Sequence, residues 1–598
     1  MARDKKVHHD ERPLDGGRAI RRVASYFAGD RLAMLLAGVL VLVSVATLLL
    51  GSYMLRPIIN EYILPGDLAR LPRALAALGA IYLTGVASTY VQYRLLNKVG
   101  QRVVSRLRVD LFRRVERLPV AYLDARRHGD LMSRFTNDID QLGIALTDSL
   151  TDILTAFLTL AGTLALMFYI SPLLALVTLV TLPLIGWATR AIVKRSRRHF
   201  KAQQVAVGNL DGYAEEMISG QKVVQLFGRE GRVEAAFGRV NDELREKSAR
   251  AQFYSGLMMP VMQNLNTLNF VLITIAGALL AIYRGLDVGG LAAFLQYARQ
   301  FGRPVNELAT LYNSIQAAIA GAERVFQVID EPGEGEEEGP GMIALDRVRG
   351  EVEMREVWFE YVPGKPVLEG VSLVAAPGQK IALVGETGAG KSTIMSLLAR
   401  FYDATAGEIT VDGHPVQRVA RRDLRRAMAV VLQGTRLFTA TVRENIRFGR
   451  LEATDEEVEA AARSAAAHAF ISRLPGGYDT LLENDGANLS QGQRQLINIA
   501  RAAIANPSIL LLDEATSNID TRSEALIQEG LDQLMRGRTT IVIAHRLSTV
   551  MNADRIIVLE AGRVIEQGTH EQLVALGGKY HALYQEQRAL DAPGEETA

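Results

Sequence analysis

The chain contains no cysteine among its 598 residues. This excludes disulfides, thiolate metal sites and cysteine catalysis, and it leaves the redox compartment open. An excess of one charge is also missing, because 67 basic side chains balance 66 acidic ones and leave a net charge of +1. Bulk electrostatics therefore predict no nucleic-acid partner. Long apolar runs are nearly absent after residue 320, so the 48% hydrophobic content is concentrated in the first half of the chain.

Six apolar runs in that first half are each long enough to cross a bilayer, because about 20 helical residues span a hydrocarbon core of roughly 30 Å. They are residues 32–55, 74–95, 152–170, 173–192, 261–283 and 288–319, of which the last is the most polar. A soluble helical core could also be apolar on every side. Six such runs with basic flanks nevertheless favour a polytopic α-helical membrane domain with six transmembrane helices.

The connections between these runs alternate in length and in charge, and Ser171-Pro172 is predicted to form a tight turn between the third and fourth runs. Those after the second and fourth runs are long and rich in arginine and lysine, at residues 97–146 and 194–253. Positive charge marks the cytoplasmic side of a membrane protein, so the N-terminus, both long connections and the C-terminal half are predicted to be cytoplasmic, in a protein of the cell membrane. Apolar residues at helical spacing predict that the membrane helices extend into the cytoplasm. They are predicted to turn at residues 123–135 and 210–228, each of which holds a glycine between short helical segments.

A linker and a second domain follow the apolar half. Residues 331–341 read EPGEGEEEGPG, a composition that disfavours packed structure. Beyond them, short β-branched runs alternate with helical patterns, which predicts an α/β domain with a helical insertion at about 441–505. The predicted strands are residues 352–359, 367–374, 380–384, 429–432, 508–512, 540–543 and 555–559. The expected domains are an N-terminal segment (1–31), a transmembrane domain (32–330), the linker (331–341), a nucleotide-binding domain (342–585) and a tail (586–598).

A glycine-rich string, GETGAGKS, follows the predicted strand 380–384 and opens a helix near Ser392. It fits the phosphate-loop pattern, in which backbone N–H groups surround phosphate oxygens, Lys391 reaches the β- and γ-phosphates, and the Ser392 hydroxyl binds Mg²⁺. The predicted phosphate-binding residues are Gly385, Glu386, Thr387, Gly388, Ala389, Gly390, Lys391, Ser392 and Thr393. A second string, ILLLDE, is predicted to be a buried parallel strand that brings Asp513 and Glu514 to the metal and the attacking water. The two strings together predict that the chain binds ATP with Mg²⁺.

A third string, LSQGQ, stands between these two and ends at Gln493. With all three in this order, the chain resembles an ATP-binding cassette (ABC) exporter half-transporter over nearly its whole length. The resemblance implies a six-helix membrane domain fused to a cytoplasmic α/β phosphate-loop domain of the ABC type. It also implies a dimer in which each signature string contacts the ATP held by the opposite domain, through Ser490, Gln491, Gly492 and Gln493. A helix that begins after Ser490 would direct N–H groups at a γ-phosphate.

The resemblance also assigns roles to single residues. In the binding part of the site, Tyr361 would stack on adenine, Asp513 would hold Mg²⁺ with Ser392, and Asp520 would lie in the loop that joins the two sites. In the catalytic part, Glu514 would be the general base, His545 would contact the γ-phosphate, and Gln433 would bind Mg²⁺ or water and sense the membrane half.

The sequence departs from the family pattern at three places. Gln491 replaces a glycine of the signature, Gly434 stands where exporters often carry an acid, and residues 482–486 differ from the usual acidic-glycine segment. These departures resemble one subunit of heterodimeric bacterial multidrug-type exporters, namely the subunit whose own ATP site keeps the complete catalytic set. The partner is then a second half-transporter with an intact signature. A homodimer is the alternative.

The function that the resemblance implies is ATP-driven export of hydrophobic or amphipathic substrates, such as drugs, lipids or peptides, by alternating access. Arg299 and Arg303, four residues apart in the sixth run, are functional candidates because charges are costly within a membrane. They would either line a cavity for amphipathic or anionic cargo or pair with another helix, for example through Glu307. A lipid flippase and an ATP-gated channel or regulator on the same fold remain alternatives. A soluble cassette ATPase is disfavoured by the six apolar runs, and an importer by the fusion of both domains in one chain.

Overall fold

The computed structural model describes residues 16–336, 338, 341–345, 347–432, 434, 436–513, 520–544 and 547–591. These residues form two compact units. The helical unit contains the residues up to Glu116 together with His128–Asp330, and the α/β unit contains Arg117–Arg127 together with the residues from Glu331 onward. A short segment between two helices of the first unit therefore belongs to the second.

The helical unit consists of long helices with short breaks. Its helices are α1 (Gly16–Tyr26), α2 (Arg31–Tyr53), α3 (Leu55–Pro57), α4 (Leu71–Val115), α6 (His128–Ser133), α7 (Ile139–Ile144), α8 (Leu150–Ile170), α9 (Pro172–Ser219), α10 (Gln221–Leu226), α11 (Glu230–Gly256), α12 (Met258–Arg284) and α13 (Val288–Asp330), while α5 (Val120–Asp124) groups with the α/β unit. Turns of π-helix occur at Ile58–Ile63, Arg134–Asp138 and Ala145–Ser149.

Within the described residues, five helical segments are long and apolar enough to cross a membrane by length and composition. They are Ala28–Ile63, Leu71–Val115, His128–Ile170, Pro172–Ser219 and Glu230–Arg284. This confirms a polytopic helical membrane domain whose helices extend well beyond the apolar runs. The sixth predicted run forms the long helix α13, but its polar residues keep it outside this group, so a sixth span stays a prediction.

The tight turn predicted between the third and fourth runs is present. Ser171 is extended (φ −157°) and its hydroxyl accepts the N–H of Leu174, while Pro172 takes the first position of α9. Proline is favoured there because its missing N–H would have no partner in the first turn of a helix. The buried side chains of Met167, Leu174, Ile273, Phe294 and Tyr297 then form one core between α8, α9, α12 and α13.

The second predicted turning point, residues 210–228, is present, and the turn occupies the second half of that stretch. Residues 210–219 are the uninterrupted end of α9, and the break comes at Gly220. A six-residue helix, α10, follows, and Gly228 (φ +59°) separates it from α11. The apolar periodicity of residues 210–219 continues that of α9, so only the two glycines marked the turn.

The acidic linker is held by ion pairs, although its composition favours loose structure. Glu334 forms a two-pronged pair with Arg425 at 2.6 and 2.7 Å. The Glu338 carboxylate accepts the backbone N–H of Arg421 at 3.1 Å. Tertiary contacts to basic residues of the α/β unit thus overcome the mutual repulsion of the linker carboxylates.

Two sheets build the α/β unit. The strands are β1 (Val352–Val362), β2 (Lys365–Ala375), β3 (Lys380–Gly385), β4 (Ala406–Val411), β5 (His414–Pro415), β6 (Met428–Val431), β7 (Ile509–Asp513), β8 (Thr539–Ile543), β9 (Arg555–Glu560) and β10 (Arg563–Gly568). An antiparallel sheet has the order β2-β1-β4-β5, and a larger sheet has the order β10-β9-β3-β8-β7-β6, in which only β10 runs antiparallel. All seven predicted strands are present, and β4, β5 and β10 were missed because they alternate polar and apolar residues over few positions.

Helices cover the larger sheet and form the predicted insertion. They are α14 (Lys391–Leu398), α15 (Arg421–Arg426), α16 (Val442–Arg447), α17 (Asp455–Ser464), α18 (His468–Ile471), α19 (Gln491–Ala505), α20 (Thr521–Met535), α21 (Leu547–Met551), α22 (His570–Leu576) and α23 (Lys579–Asp591). Because β3, β8, β7 and β6 are parallel, their carboxyl ends lie along one edge of the sheet. Ligands of open α/β sheets bind at that edge.

Candidate nucleotide-binding site

The phosphate loop begins where β3 ends, and its glycines allow the backbone to turn closely. Gly385 has φ +156°, and a Cβ there would lie 2.2 Å from the carbonyl oxygen of Leu559 on β9. Gly390 has φ +100°, and a Cβ would lie 2.5 Å from the side chain of Leu368. A side chain at either position would displace the loop. Glu386, Thr387 and Gly388 are exposed between them, Ala389 is buried, and α14 starts at Lys391.

Lys391 is buried at the centre of this loop, with 7% of its surface exposed. Its Nζ donates to the carbonyl oxygens of Gly385 at 2.7 Å and Glu386 at 2.8 Å. Burial lowers the pKa of Lys391, and the negative charge of Asp513 opposes that shift. The loop therefore aims a desolvated ammonium group at its own oxygens, an arrangement that suits phosphate oxygens equally well.

Two oxygen donors at this edge fit a magnesium ion. Ser392 is exposed in the first turn of α14. Asp513 is the last residue of β7 and pairs in register with Ile543 of β8, the strand beside β3. Hydroxyl and carboxylate oxygens are the ligands that Mg²⁺ takes from proteins when it also binds substrate phosphates.

Tyr361 belongs to a cluster of three aromatic rings next to the loop. Its ring is edge-on to those of Phe359 and Tyr402, with centroids 4.7 and 5.0 Å away. The Tyr361 hydroxyl lies 3.2 Å from the Thr393 hydroxyl on α14. Nearly half of the Tyr361 side chain is exposed (47%), so the cluster holds the ring while leaving surface for a flat base to stack on.

The signature string forms the start of α19, as expected. Ser490 is the N-cap: its hydroxyl accepts the N–H of Gln493 at 3.3 Å, and the Gln493 side chain accepts the N–H of Ser490 at 3.0 Å. Gln491 is the exposed first residue of the helix, and Gly492 behind it is buried. The reciprocal cap fixes the end of the helix, so the Gln491 side chain stands where a glycine would leave the N-terminus open.

Asp520 has a local structural role in this chain. It is the N-cap of α20, and one carboxylate oxygen accepts the Ser523 N–H at 2.9 Å. This hydrogen bond lowers the pKa of Asp520. Its predicted place in a loop between two ATP sites is a separate role that stays a prediction.

The three predicted catalytic residues, Gln433, Glu514 and His545, lie outside the described residues. The strands that lead to them are described: β6 ends two residues before Gln433, β7 ends immediately before Glu514, and β8 ends two residues before His545. These strands are neighbours in the order β8-β7-β6. Their parallel direction brings the ends of these three described strands to the carboxyl edge of the sheet, where the phosphate loop also begins.

Sequence reasoning missed a polar cluster that connects α19 to the segment after Gln433. Arg501 on α19 donates to the Asn445 carbonyl at 2.9 Å and to the Arg436 carbonyl at 3.0 Å. Asn445 is buried, and its side-chain oxygen accepts the Phe438 N–H at 2.9 Å. Burial lowers the pKa of Arg501. Arg501 and Asn445 belong to no motif. The only signal in the sequence was the polar character of each side chain.

A phosphate-loop unit joined in one chain to several membrane-spanning helices defines the class of ATP-driven membrane transporters. The family described as ABC transporter transmembrane region matches residues 34–305, and the family described as ABC transporter matches residues 368–517. The chain is 44% identical over 568 residues to the Uncharacterized ABC transporter ATP-binding protein YfiC of Bacillus subtilis (strain 168), covering 95% of this chain and 94% of the relative.

Two further relatives carry names that mention lipids. The Fatty acid ABC transporter ATP-binding/permease protein of Mycobacterium bovis is 44% identical over 524 residues, covering 87% of this chain and 83% of the relative. The ATP-dependent lipid A-core flippase of Syntrophus aciditrophicus is 36% identical over 574 residues, covering 96% and 94%. A solved structure of a bacterial Atm1-family ABC exporter with ATP bound superposes with a TM-score of 0.75 at 30% identity, covering 94% of this chain and 99% of that one.

The chain belongs to the ABC transporter family as a half-transporter, a membrane domain fused to a cytoplasmic ATP-hydrolysing domain. The resemblance drawn from the three strings is thereby confirmed, and so is the predicted fold class. Family members of this type act as dimers. The choice between a heterodimer and a homodimer, the cargo and the roles of single site residues remain proposals.

Proposed function

We propose that this exporter moves anionic amphipathic lipids, of the kind formed by an acyl chain and an acidic head group, out of the cytoplasmic leaflet at the expense of ATP. Support comes from the relatives named for fatty acids and lipid A-core. Drugs and peptides are the alternative cargoes. The ATP reaction itself follows from membership of the family.

The observation that carries the ATP part is the buried Lys391 inside a glycine loop, within electrostatic reach of Asp513. In the proposed reaction Lys391 and the loop N–H groups bind the phosphates, and Ser392 and Asp513 hold Mg²⁺, which would neutralise phosphate charge. Gln433 would bind the metal or its water, Glu514 would take the proton of the attacking water, and His545 would orient the γ-phosphate. Tyr361 would stack on the adenine.

Coupling to the membrane helices has a physical link in α5. Tyr402, which packs edge-on against Tyr361, donates its hydroxyl to the Asp124 carboxylate at 2.7 Å. Asp124 is the last residue of α5, and Arg126 lies over the ring of Tyr122 in the same segment, 3.5 Å from its centroid. Movement of the proposed adenine platform would thus be transmitted to the segment between α4 and α6.

An apolar surface around α10 suits the partner chain of a dimer. Ile218, Val223, Leu226 and Phe227 are 58% to 79% exposed. Four large apolar side chains in so short a stretch are costly in water and mark a protein contact. We assign this surface to the second half-transporter.

The partner is proposed to be a different chain with an intact signature. Gln491 places a side chain where close approach to phosphate needs a glycine. The ATP site of this chain keeps Lys391, Asp513, Glu514 and His545, so it would hydrolyse ATP when the partner completes it. The site to which this chain contributes Gln491 would be degenerate.

Arg299 is the feature of the membrane helices that favours anionic cargo. It lies in α13 with an exposed side chain, and its guanidinium is 4.6 Å from the ring centroid of Phe270. Its neighbour Gln300 donates to the Ser52 hydroxyl at 2.8 Å. Arg303, its predicted companion, lies outside the described side chains. A cation over an aromatic face stays charged at low cost and can still attract an acidic head group.

The test reconstitutes the co-expressed pair into liposomes and follows ATP-dependent translocation of a fluorescent phospholipid with an acidic head group. Glu514→Gln should bind ATP but lower hydrolysis and translocation by about 10²–10⁴-fold. Arg299→Gln should lower translocation of the acidic lipid more than that of a zwitterionic one, with Arg299→Lys as the charge-retaining variant and Arg284→Gln as a matched control at the end of α12. Equal transport of both lipids by Arg299→Gln would contradict the cargo assignment. ATP-dependent ion conductance without lipid movement would favour the channel alternative.

A further inference from the structure

One lysine joins the C-terminal helix to the phosphate loop. The Nζ of Lys579, the first residue of α23, lies 2.9 Å from a carboxylate oxygen of Glu386 and 2.8 Å from one of Glu560. Glu386 is the second residue of the loop that starts at Gly385, and Glu560 ends β9, the strand beside β3. Two carboxylates on adjacent strand ends therefore share one cation that comes from a distant part of the sequence.

The backbone of Lys579 is fixed by contacts of its own. The Glu566 carboxylate on β10 accepts the N–H groups of Lys579 at 2.6 Å and Tyr580 at 3.0 Å. Tyr580 is buried, and its hydroxyl lies 2.7 Å from Nδ1 of His570. A Cβ at Gly578 would come within 2.1 Å of the same Glu566 carboxylate, so a side chain there would displace that carboxylate. A lysine that starts from a fixed backbone gives up less freedom on pairing than an ordinary surface lysine, whose ion pairs contribute little.

Lys579 stabilises the charged form of both carboxylates, and they stabilise its ammonium group. Hydrogen bonds to Glu560 and Glu386 raise the pKa of Lys579, and the hydrogen bond from Lys579 lowers the pKa of Glu386. Without the lysine, two carboxylates would stand side by side at the mouth of the loop. A carboxylate in this loop has the same sign as the phosphates, and charges this close are separated by less than the Debye length of about 8 Å at physiological ionic strength.

We propose that Lys579 is a positioning residue for nucleotide binding, which keeps Glu386 neutralised so that the phosphate loop accepts a triphosphate. The assignment rests on the ATP site proposed above and extends it to the C-terminal helix. It makes α23 part of the structure that sets the affinity for Mg-ATP. The residues assigned to the hydrolytic step are untouched by this contact, so affinity should change without a matching change in turnover.

The test measures the ATPase kinetics of the full-length chain co-expressed with its partner. Lys579→Met should raise the KM for Mg-ATP about threefold to tenfold and leave kcat within about twofold. The rise should shrink at high salt, because screening weakens the repulsion from Glu386. Lys579→Arg should behave like the wild type. Arg473→Gln, which removes an exposed cation in the helical insertion, serves as the matched control and should change neither constant.

A second variant separates this electrostatic role from a merely structural one. Adding Glu386→Gln to Lys579→Met removes the repelling charge and should return the KM to within about twofold of the wild type. A loss of folding in Lys579→Met would give no such recovery. An unchanged KM in Lys579→Met, or a raised KM that Glu386→Gln leaves in place, would overturn the proposal. If the wild-type pair itself fails to bind Mg-ATP, the ATP site and not the role of Lys579 is at fault.

Discussion

At the scale of single residues, the phosphate loop shows how one buried cation organises a site. A buried ammonium group is costly unless its N–H groups have partners, and Lys391 finds them in two carbonyls of its own loop. Those carbonyls are held in place because Gly385 lies against Leu559 of a neighbouring strand. The loop is therefore positioned by the sheet as much as by its own sequence.

At the same scale, the capping hydrogen bond of Asp520 can be tested separately from the charge of its carboxylate. Asp520→Ala should lower the midpoint of thermal unfolding of the α/β unit by about 2 to 4 °C, since the Ser523 N–H loses its acceptor. The folded pKa is depressed, so the stabilisation is present above the unfolded pKa near 3.9 and is lost as the pH falls through the folded value. The difference between wild type and Asp520→Ala should therefore shrink at acid pH.

Asp520→Asn is the control for this prediction. Asparagine caps helices about as well as aspartate, so the unfolding midpoint at neutral pH should stay near that of the wild type. If Asp520→Asn keeps the stability but loses ATPase activity in the assembled dimer, the charge has the further role that the family resemblance implies. An unfolding midpoint that is the same for Asp520→Ala and wild type would show that the cap does not matter.

At the scale of elements, helix ends and short helices carry the functional contacts. The signature helix α19 begins at a capping box around Ser490, and Arg501 in its last turns ties it to the segment that follows Gln433. A movement of that segment would therefore reach the signature helix through the hydrogen bonds of the Arg501 guanidinium. The short helix α5 is a second such element, because it ends on Asp124 at the hydroxyl of Tyr402.

We expect Tyr402→Phe to uncouple lipid translocation from ATP hydrolysis. Removing the hydroxyl keeps the ring that packs on Tyr361 but deletes the hydrogen bond to α5. Lipid translocation per ATP hydrolysed should fall roughly threefold to tenfold, while the KM for ATP stays within about twofold. Asp124→Ala should have the same effect. The double variant should be no worse than either single one, and additive losses would contradict the proposed link.

At the scale of the whole molecule, the main prediction concerns the partner. If the chain works as the consensus-site subunit of a heterodimer, the purified chain alone should show little Mg-ATPase activity. Co-expression with an adjacent half-transporter that has an intact signature should restore it, and Glu514→Gln here should abolish it. Robust activity of the chain alone would mean that Gln491 is tolerated and that the homodimer operates.

The exposed apolar surface around α10 provides a second test of the contact with the partner chain. Phe227 is 69% exposed in this chain, so Phe227→Asp should leave the fold of the single chain unchanged. In the pair it should weaken association or coupling, which size-exclusion chromatography and ATPase assays measure. Leu576→Asp changes a comparably exposed apolar residue (65%) on α22 and should have neither effect.

The sequence predicted features that depend on neighbouring residues better than features that depend on contacts between residues far apart in the chain. The phosphate loop, the strand before Asp513 and the turn at Ser171 follow from local patterns, and the structure has them within one or two residues of the prediction. The turn at α10 lies within the predicted stretch 210–228, because Gly220 and Gly228 mark it locally, but the pattern did not show that α9 continues to Ser219. The linker was expected to be loose from its composition. The ion pair between Glu334 and Arg425 that holds it was missed, because it joins residues far apart in the chain.

By itself, the sequence determined the class of protein, because the apolar runs are set by bilayer thickness and the phosphate loop by backbone geometry at glycine. It also determined which residues can carry charge to the nucleotide. Only the tertiary structure decided which polar groups meet: Lys579 with Glu386, Tyr402 with Asp124, and Arg501 with Asn445. These contacts join distant segments, and no local pattern encodes them, because they depend on where the sheet and its covering helices place each side chain.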